Sequence, residues 1–222
     1  MKLRFGFLMA GALFFMASCG GGNTETANNE TETHEGHDHE GHDHETEAET
    51  ATADTYTIDT EASNIRWEGS AVGVYSHFGD INIQEGMLEL TGETVTGGSF
   101  VVDMTSIDPK DENYGEENPK EYLVGHLSKG DFFLVEEYPT SSFEITSMTE
   151  NGIVGNLTIR DKTNEETVEI ETMEVLEDGT VNAKGKLTFD RQKYDVAWQY
   201  EPGKDLILSD DIVLDITIVA NK

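Results

Sequence analysis

From residue 55 to the end of the chain, apolar and polar residues alternate in short runs. In one run, Ile212, Leu214, Ile216 and Ile218 occupy every second position. Similar runs cover residues 100–105, 143–146, 153–160, 168–171 and 187–190. A period of two predicts β-strands with one face towards a core. We therefore predict about eight antiparallel strands closed into a barrel, and a two-sheet sandwich is the competing architecture.

Turn and helix signals divide these runs. Glycine-containing turns are predicted at Glu85-Gly86, Thr91-Gly92, Gly97-Gly98, Asn151-Gly152, Asp178-Gly179 and Pro202-Gly203. One helix is predicted at about Pro119–Ser128, inside a long loop. Leu123 and Leu127, with Phe132 and Phe133 beyond them, give this segment an apolar face that a surface loop would not need. Pro139 should end the loop before the next strand, because proline cannot donate to a sheet.

Residues 1–18 have the pattern of a secretory signal. Lys2 and Arg4 precede an apolar run, Phe5 to Met16, that is too short to span a membrane as a helix. The ending MASC resembles a bacterial lipobox, in which Leu is usual where this chain has Met16. The resemblance implies cleavage before Cys19, the only cysteine of the chain, and lipidation of that residue. The alternative is a simple signal peptide with an incidental cysteine.

Residues 19–54 differ sharply in composition from the rest of the chain. From Gly20 to Asp54 there are 11 acidic residues, no Lys, no Arg and no aromatic residue. Such a segment cannot bury enough apolar surface to offset the entropy lost on ordering. We expect a disordered, acidic, His-rich tether that joins the lipid on Cys19 to a folded domain at residues 55–222.

The tether contains a tandem repeat, EGHDHEGHDH, at residues 35–44. Short histidine-rich tracts are typical of metal binding, and neutral imidazole suits Zn²⁺ or Cu²⁺. The predicted ligands are His34, His37, His39, His42 and His44. The alternative is a solvated acidic spacer whose histidines bind no metal in the cell.

The charge of the chain excludes some partners. The formal net charge is −31 at pH 7, so neither nucleic acid nor a bare anionic membrane surface is an expected partner. Sequence motifs for catalysis are missing as well: there is no GxSxG, no HExxH, no Gly-rich phosphate loop and no reactive cysteine. We therefore expect a protein that is not an enzyme and requires no cofactor.

Several ordered motifs of residues 55–222 resemble the YceI family of periplasmic polyisoprenoid-binding proteins. Similar stretches are TYTIDTEASNIRWEG, SHFGDINIQEGMLEL, GGSFVVDMTSID, HLSKGDFFLVEEYPTSSF, GNLTIRDKT, LTFDRQKYDVAW and DDIVLDITIVA. Asp161 departs from the family's GxLTIxGxT pattern, which has Gly there. The resemblance implies an extended lipocalin-like barrel whose apolar cavity binds a quinone or polyprenyl lipid. It is also compatible with a homodimer, because family members often pair.

Strand phase, taken with this resemblance, assigns residues to the cavity wall. They are Trp67, Phe78, Phe100, Val102, Met104, His126, Phe132, Phe133, Phe143, Leu157, Ile159 and Phe189. Each apolar one also fits a packed core. His77 and His126 could hydrogen-bond a lipid head, although a structural role is the commoner one for such histidines. Arg160 and Arg191 could contact a phosphate, although ion pairing with carboxylates is the simpler expectation.

Three functions remain open on this basis. The first is a lipid-anchored carrier or reservoir for an isoprenoid lipid in the bacterial cell envelope, at the outer membrane and facing either the periplasm or the exterior. The second is a metal-handling lipoprotein that uses the histidine tract and has the barrel as a scaffold. The third is an interaction module with a fully packed interior.

Overall fold

The computed structural model of the protein describes residues 52–197 and 207–222. Nine strands and one α-helix follow one another in these residues. They are β1 (Asp54–Ile58), β2 (Asn64–Ala71), β3 (Tyr75–Thr91), β4 (Thr94–Pro109), α1 (Lys120–Leu127), β5 (Thr140–Thr149), β6 (Gly152–Ile159), β7 (Lys162–Val175), β8 (Val181–Asp190) and β9 (Leu208–Asn221). A single 3-10 turn, Arg191–Tyr194, follows β8.

The sheet closes on itself, which confirms the barrel and excludes the sandwich. Its strands pair antiparallel in the order β3-β2-β9-β8-β7-β6-β5-β4, and β4 pairs back onto β3. The short strand β1 lies between β3 and β9, as β2 does. It pairs with β3 at Met87–Leu90 and with β9 at Ala220 and Asn221, beyond the point where β2 ends. β1 and β2 together therefore occupy one of the eight strand positions around the barrel.

The registers define two ends of the barrel. The turns at 92–93, 150–151 and 176–180 lie at one end, which we call the turn end. The β2–β3 turn at 72–74, the β4–β5 connection at 110–139 and the β6–β7 turn at 160–161 lie at the other. Because α1 belongs to the 110–139 connection, we call this the helix end.

Two of the predicted turns are wrong, because Gly86 and Gly97-Gly98 lie inside β3 and β4. The register shifts near both sites mark β-bulges, which bend long strands around a barrel. A Cβ on Gly86 would lie 2.9 Å from Ile58 Cγ1, and one on Gly98 would lie 2.6 Å from the Met87 carbonyl oxygen. Glycine at these positions therefore permits close strand approach instead of chain reversal.

The helix is confirmed at its predicted place. Lys120–Leu127 is helical, with Pro119 as its extended N-cap and Ser128 as its C-cap. The Ser128 hydroxyl donates to the Val124 carbonyl at 2.7 Å, and the Phe133 amide donates to the Leu127 carbonyl at 3.0 Å. These bonds fold the following loop back against the helix. In the described part of the chain, no helix has the length and apolar character needed to cross a membrane.

Inward-facing residues of the strands pack into two groups along the barrel axis. At the turn end, Leu90, Val95, Val181 and Ala220 are almost fully buried. At the helix end, Leu187, Phe189, Tyr194 and Val196 pack with Phe132. The second group combines strand β8 with the 3-10 turn and the long loop, so loop residues close the helix end.

Candidate functional site: a two-chambered apolar cavity

The barrel interior contains two adjoining chambers. The larger has a volume of about 280 Å3 and is lined at the helix end by Ala71, Tyr75 and Leu208. The smaller has a volume of about 130 Å3 and reaches Leu88 and Val95 near the turn end. Both chambers share part of their walls, at a level that we call the waist, formed by Ile65, Val102, Ser141, Leu157 and Leu214. The two therefore lie in line along the barrel.

The structure places eleven of the twelve predicted wall residues on these chambers. Around the larger chamber lie Trp67, Met104, His126, Phe132, Phe133, Ile159 and Phe189. Phe100 and Phe143 line the smaller chamber. Val102 and Leu157 belong to both, at the waist. That any of these side chains contacts a ligand stays a prediction.

Phe78 was assigned to the wrong face. It lies in β3 between His77 and Gly79, in the same phase as Asp80, whereas His77 and Ile81 line the larger chamber. The Phe78 ring instead lies 4.2 Å from the Arg66 guanidinium, in a cation–π contact. The prediction failed because it took the large apolar residue as the inward one, whereas this strand turns a histidine inward.

Helix α1 covers the larger chamber from the helix end. Leu123, His126 and Leu127 all line it, as their spacing of three and four on one helix face allows. The His126 ring stands edge-on to Phe132, with centroids 4.8 Å apart. The sequence predicts an apolar face at Leu123 and Leu127, and the structure places that face, half-buried, over the chamber.

One polar atom at the waist has no partner. The Ser141 residue is only 8% exposed, and its hydroxyl makes no hydrogen bond within the described structure. An unsatisfied buried hydroxyl costs about 1–3 kcal/mol. Sequence reasoning missed Ser141, because a serine at the start of a strand gives no signal that it faces an apolar interior.

Both arginines considered as phosphate ligands are engaged elsewhere. Arg191 is buried at the wall of the larger chamber, where it donates to the Ser209 carbonyl at 2.8 Å, to the Val196 carbonyl at 2.6 Å and to Asp210 at 3.3 Å. Arg160 donates to the carbonyls of Phe132 at 3.3 Å and Asp195 at 2.6 Å. These bonds hold the loops of the helix end together.

A polar cluster lies beside the larger chamber, where β3 meets the loop after β4. His77 Nδ1 is 3.1 Å from each carboxylate oxygen of Asp111. The Tyr114 hydroxyl donates to the same carboxylate at 2.6 Å, and its ring stacks on His77 with 14° between the planes. The backbone amides of Phe78 and Asn113 donate to Asp111 at 3.3 and 3.0 Å. Because Asp111, Asn113 and Tyr114 are 34 or more residues from His77, the sequence pattern did not reveal the cluster.

The cluster is built around an ionised carboxylate. Burial alone would raise the pKa of Asp111, but hydrogen bonds from Tyr114, from the Asn113 amide and from His77 outweigh burial and hold that pKa below its usual value. Burial and the neighbouring carboxylate raise the pKa of the Tyr114 hydroxyl, so this group stays protonated and donates. Asp111 is therefore an acceptor for every group around it.

Replacing Asp111 with asparagine is expected to lower the free energy of unfolding at neutral pH by about 2 kcal/mol, in the range for hydrogen bonds to a charged group. Because folding lowers the pKa of Asp111, its contribution is fully present above the ordinary value of 3.8 and is lost as the pH falls through the lowered folded value. The stability difference between wild type and Asp111→Asn should therefore shrink from about pH 5 to about pH 2 in urea unfolding. A difference that is constant over this range would contradict the assignment.

The other predicted site residues lie outside the described structure. These are Cys19 and the tether histidines His34, His37, His39, His42 and His44. Within residues 52–197 and 207–222, no group of three or more His, Cys, Asp or Glu side chains is placed to hold a metal ion. The metal prediction therefore concerns the tether alone and stays a prediction.

Two solved structures are similar in fold to this chain. BcnA from Burkholderia cenocepacia matches 74% of this chain and 99% of its own, with a TM-score of 0.56 and 17% identity. A polyisoprenoid binding domain from Saccharophagus degradans, implicated in plant cell wall breakdown, matches 75% of this chain and 97% of its own, with a TM-score of 0.53 and 11% identity. At such low identity, these matches show the barrel fold alone.

A sequence relative matches a short part of the chain, and a family model matches most of it. A UPF0312 protein of Staphylococcus aureus is 52% identical over 46 residues, which is 21% of this chain and 27% of the relative's length. The match to curated relatives therefore spans about a quarter of their length. A family model described as a YceI-like domain matches residues 56–220, which is nearly the whole barrel. The chain therefore belongs to the YceI-like family.

Proposed function

We propose that this protein binds an isoprenoid lipid, a quinone or a polyprenyl chain, in the two chambers, and serves as its carrier or reservoir in the bacterial cell envelope. One observation carries the proposal: the barrel encloses two aligned apolar chambers that a solid core would not leave open. The Saccharophagus degradans neighbour, which is described as a polyisoprenoid binding domain, supports the same ligand class.

The chamber volumes indicate how much chain can be held. An engineered cavity of about 150 Å3 accepts benzene, a ligand of six carbons. By that measure, chambers of about 280 and 130 Å3 hold about 15 carbons, or about three isoprene units. A longer chain must displace wall side chains or extend out of the barrel. Met104 and the aromatic residues of the wall can adapt to such a chain more easily than branched aliphatic residues could.

The free energy of binding should come mainly from the apolar area of the ligand and the wall that is removed from water. Each buried CH₂-sized group contributes about 0.8 kcal/mol before the ordering of the chain is subtracted. A series of prenyl alcohols with one to five isoprene units should therefore gain affinity by about tenfold or more per unit up to three units, and by less thereafter. Displacement of an apolar fluorescent dye from the Cys19→Ser protein, which lacks the proposed acyl chains and can be purified without detergent, measures this.

The series also tests the proposal as a whole. Organic extraction of the purified protein, followed by mass spectrometry, should reveal a bound isoprenoid lipid. If no lipid co-purifies and no prenyl alcohol displaces the dye at its solubility limit, the carrier function is wrong. Affinity that increases equally over all five units would leave the function intact and contradict the predicted capacity.

The proposed location rests on the N-terminal sequence. The apolar run before Cys19 and the MASC ending support export and lipidation, with the acidic segment at 19–54 as the tether. Acyl chains on Cys19 would hold the barrel close to the membrane in which an isoprenoid ligand resides. A Cys19→Ser variant is then expected to leave the membrane fraction, and unchanged membrane association would contradict the anchor.

The tandem repeat EGHDHEGHDH favours metal handling as a second candidate function. Three or four ligands from the five histidines and the interleaved carboxylates can converge on one Zn²⁺ or Cu²⁺ ion when the chain wraps around it. Because imidazole must be neutral to bind, the affinity should fall steeply below about pH 6. Calorimetric titration of a peptide of residues 30–50 with Zn²⁺ is expected to release heat at micromolar peptide, and the absence of heat would contradict this candidate.

A further inference from the structure

We propose that His77 recognises the polar head of the cargo as a hydrogen-bond acceptor, so that the cavity selects isoprenoids whose head carries an O–H group. Alcohols and hydroquinones have such a group, whereas ethers and fully oxidised quinones do not. The inference rests on the proposed lipid-binding function and adds a chemical selectivity to it. It depends on which nitrogen of the His77 ring carries the proton.

The surroundings of Asp111 fix that proton. Asp111 has a side chain that is only 2% exposed, and it receives bonds from the Tyr114 hydroxyl and two backbone amides. An ionised carboxylate can only accept hydrogen bonds. His77 Nδ1 is 3.1 Å from both of its oxygens and 3.2 Å from the Tyr114 hydroxyl, whose own proton is donated to Asp111, so we assign Nδ1 as the donor. In its neutral form the imidazole then has its proton on Nδ1 and a bare lone pair on Nε2.

The ring is held so that this lone pair is available to the chamber. His77 lines the larger chamber, and its side chain is 18% exposed. Tyr114 stacks on one face of the ring, and Tyr75 meets it edge-on with centroids 4.9 Å apart. With the ring clamped and Nδ1 directed at Asp111, Nε2 points away from the carboxylate. Within the described part of the chain, no side chain or backbone group bonds to Nε2.

Two other polar groups of the larger chamber are committed to protein partners. The Arg191 guanidinium is bonded to the Ser209 and Val196 carbonyls. The Ser70 hydroxyl is 2.9 Å from the Ser76 hydroxyl. Ser141 lies at the waist, deeper in the barrel. A head placed at His77 would therefore lie near the helix end, with its apolar tail running through the waist towards the turn end.

An acceptor at this place discriminates between heads of almost equal size. An alcohol or phenol O–H can donate to Nε2, and such a bond contributes about 0.5–1.5 kcal/mol net. An ether oxygen or a quinone carbonyl presents a lone pair to the lone pair of Nε2 and makes no bond. The expected preference for the O–H ligand over its methyl ether is about twofold to tenfold. A carrier with this selectivity would hold a reduced quinone in preference to the oxidised one.

A matched pair of ligands tests the selectivity with the same tail. Farnesol and farnesyl methyl ether both carry three isoprene units and differ in one O–H group. We expect the full-length protein to bind farnesol about twofold to tenfold more tightly. The His77→Phe variant keeps an aromatic ring between Tyr75 and Tyr114 but removes the acceptor. It should bind both ligands with the affinity that wild type has for the ether, and retained ether binding shows that the variant is folded.

The tautomer can be read directly in the wild-type protein, whatever the variant does. Long-range ¹⁵N–¹H NMR of the labelled protein should show His77 with its proton on Nδ1 and an unprotonated Nε2. Equal binding of alcohol and ether by wild type, or a proton found on Nε2, overturns the inference and leaves the lipid-binding function standing. Binding of neither ligand overturns the lipid-binding function, and the inference with it.

Discussion

Replacing Ser141 with phenylalanine is expected to weaken binding of a three-unit prenyl chain by about 100-fold or more while the barrel stays folded. Ser141 lies at the waist, on the wall of both chambers. A phenyl ring there would close the smaller chamber, whose volume of about 130 Å3 corresponds to about five carbons. At about 0.8 kcal/mol per carbon, losing those contacts removes about 4 kcal/mol of binding free energy. Dye displacement with farnesol measures the loss.

Folding of this variant should be preserved, because the substitution also removes an unsatisfied buried hydroxyl. Ser147→Phe is the matched control. It introduces the same side chain on the same strand, β5, at an exposed position opposite Val154 of β6, away from the chambers. Ser147→Phe should leave farnesol affinity unchanged. If both variants bind as wild type does, the waist is not part of the binding path.

Much of the cavity wall could be predicted because strands that bury one face alternate strictly. In β4, Phe100, Val102 and Met104 are all inward, as their spacing predicted. A prediction from hydrophobic alternation is wrong where the inward residue is polar. In β3 the inward His77 and the outward Phe78 reverse the expected order, because His77 bonds to Asp111 and Phe78 lies against Arg66. A pattern of hydrophobicity carries no information about these two contacts, so it could not predict that His77 faces inward and Phe78 outward.

The contacts that build the polar cluster could not be predicted for a different reason. Asp111, Asn113 and Tyr114 lie in a loop whose sequence is charged and has no periodicity. Their proximity to His77 depends on the pairing of β3 with β4, which brings Gly79 opposite Pro109. This register and the loop conformation that follows it place the acidic stretch against His77, on the wall of the larger chamber.

That register depends on a glycine, and Gly79→Ala is expected to lower the free energy of unfolding by about 3 kcal/mol. A Cβ at position 79 would lie 2.7 Å from Pro109 Cα and closer still to the Asp108 carbonyl oxygen. Both are backbone atoms, so the clash cannot be relieved by a side-chain rotation. The end of β4 must move, and with it the loop that carries Asp111. The melting temperature should fall by about 9 °C for a domain of this size.

Displacement of β4 should spread beyond position 79, because the Asp108 carboxylate is bonded to Lys110 at the start of the loop and to Lys120 in α1. Gly115→Ala, in the same connection, is the control. A Cβ there meets no atom within 4 Å, and its effect should stay within about 0.5 kcal/mol. If calorimetry gave the two alanine variants the same melting temperature, close approach of β3 and β4 would not be what positions Asp111. A large loss for Gly79→Ala alone would mean that the register of β3 and β4 requires a residue without a Cβ at position 79.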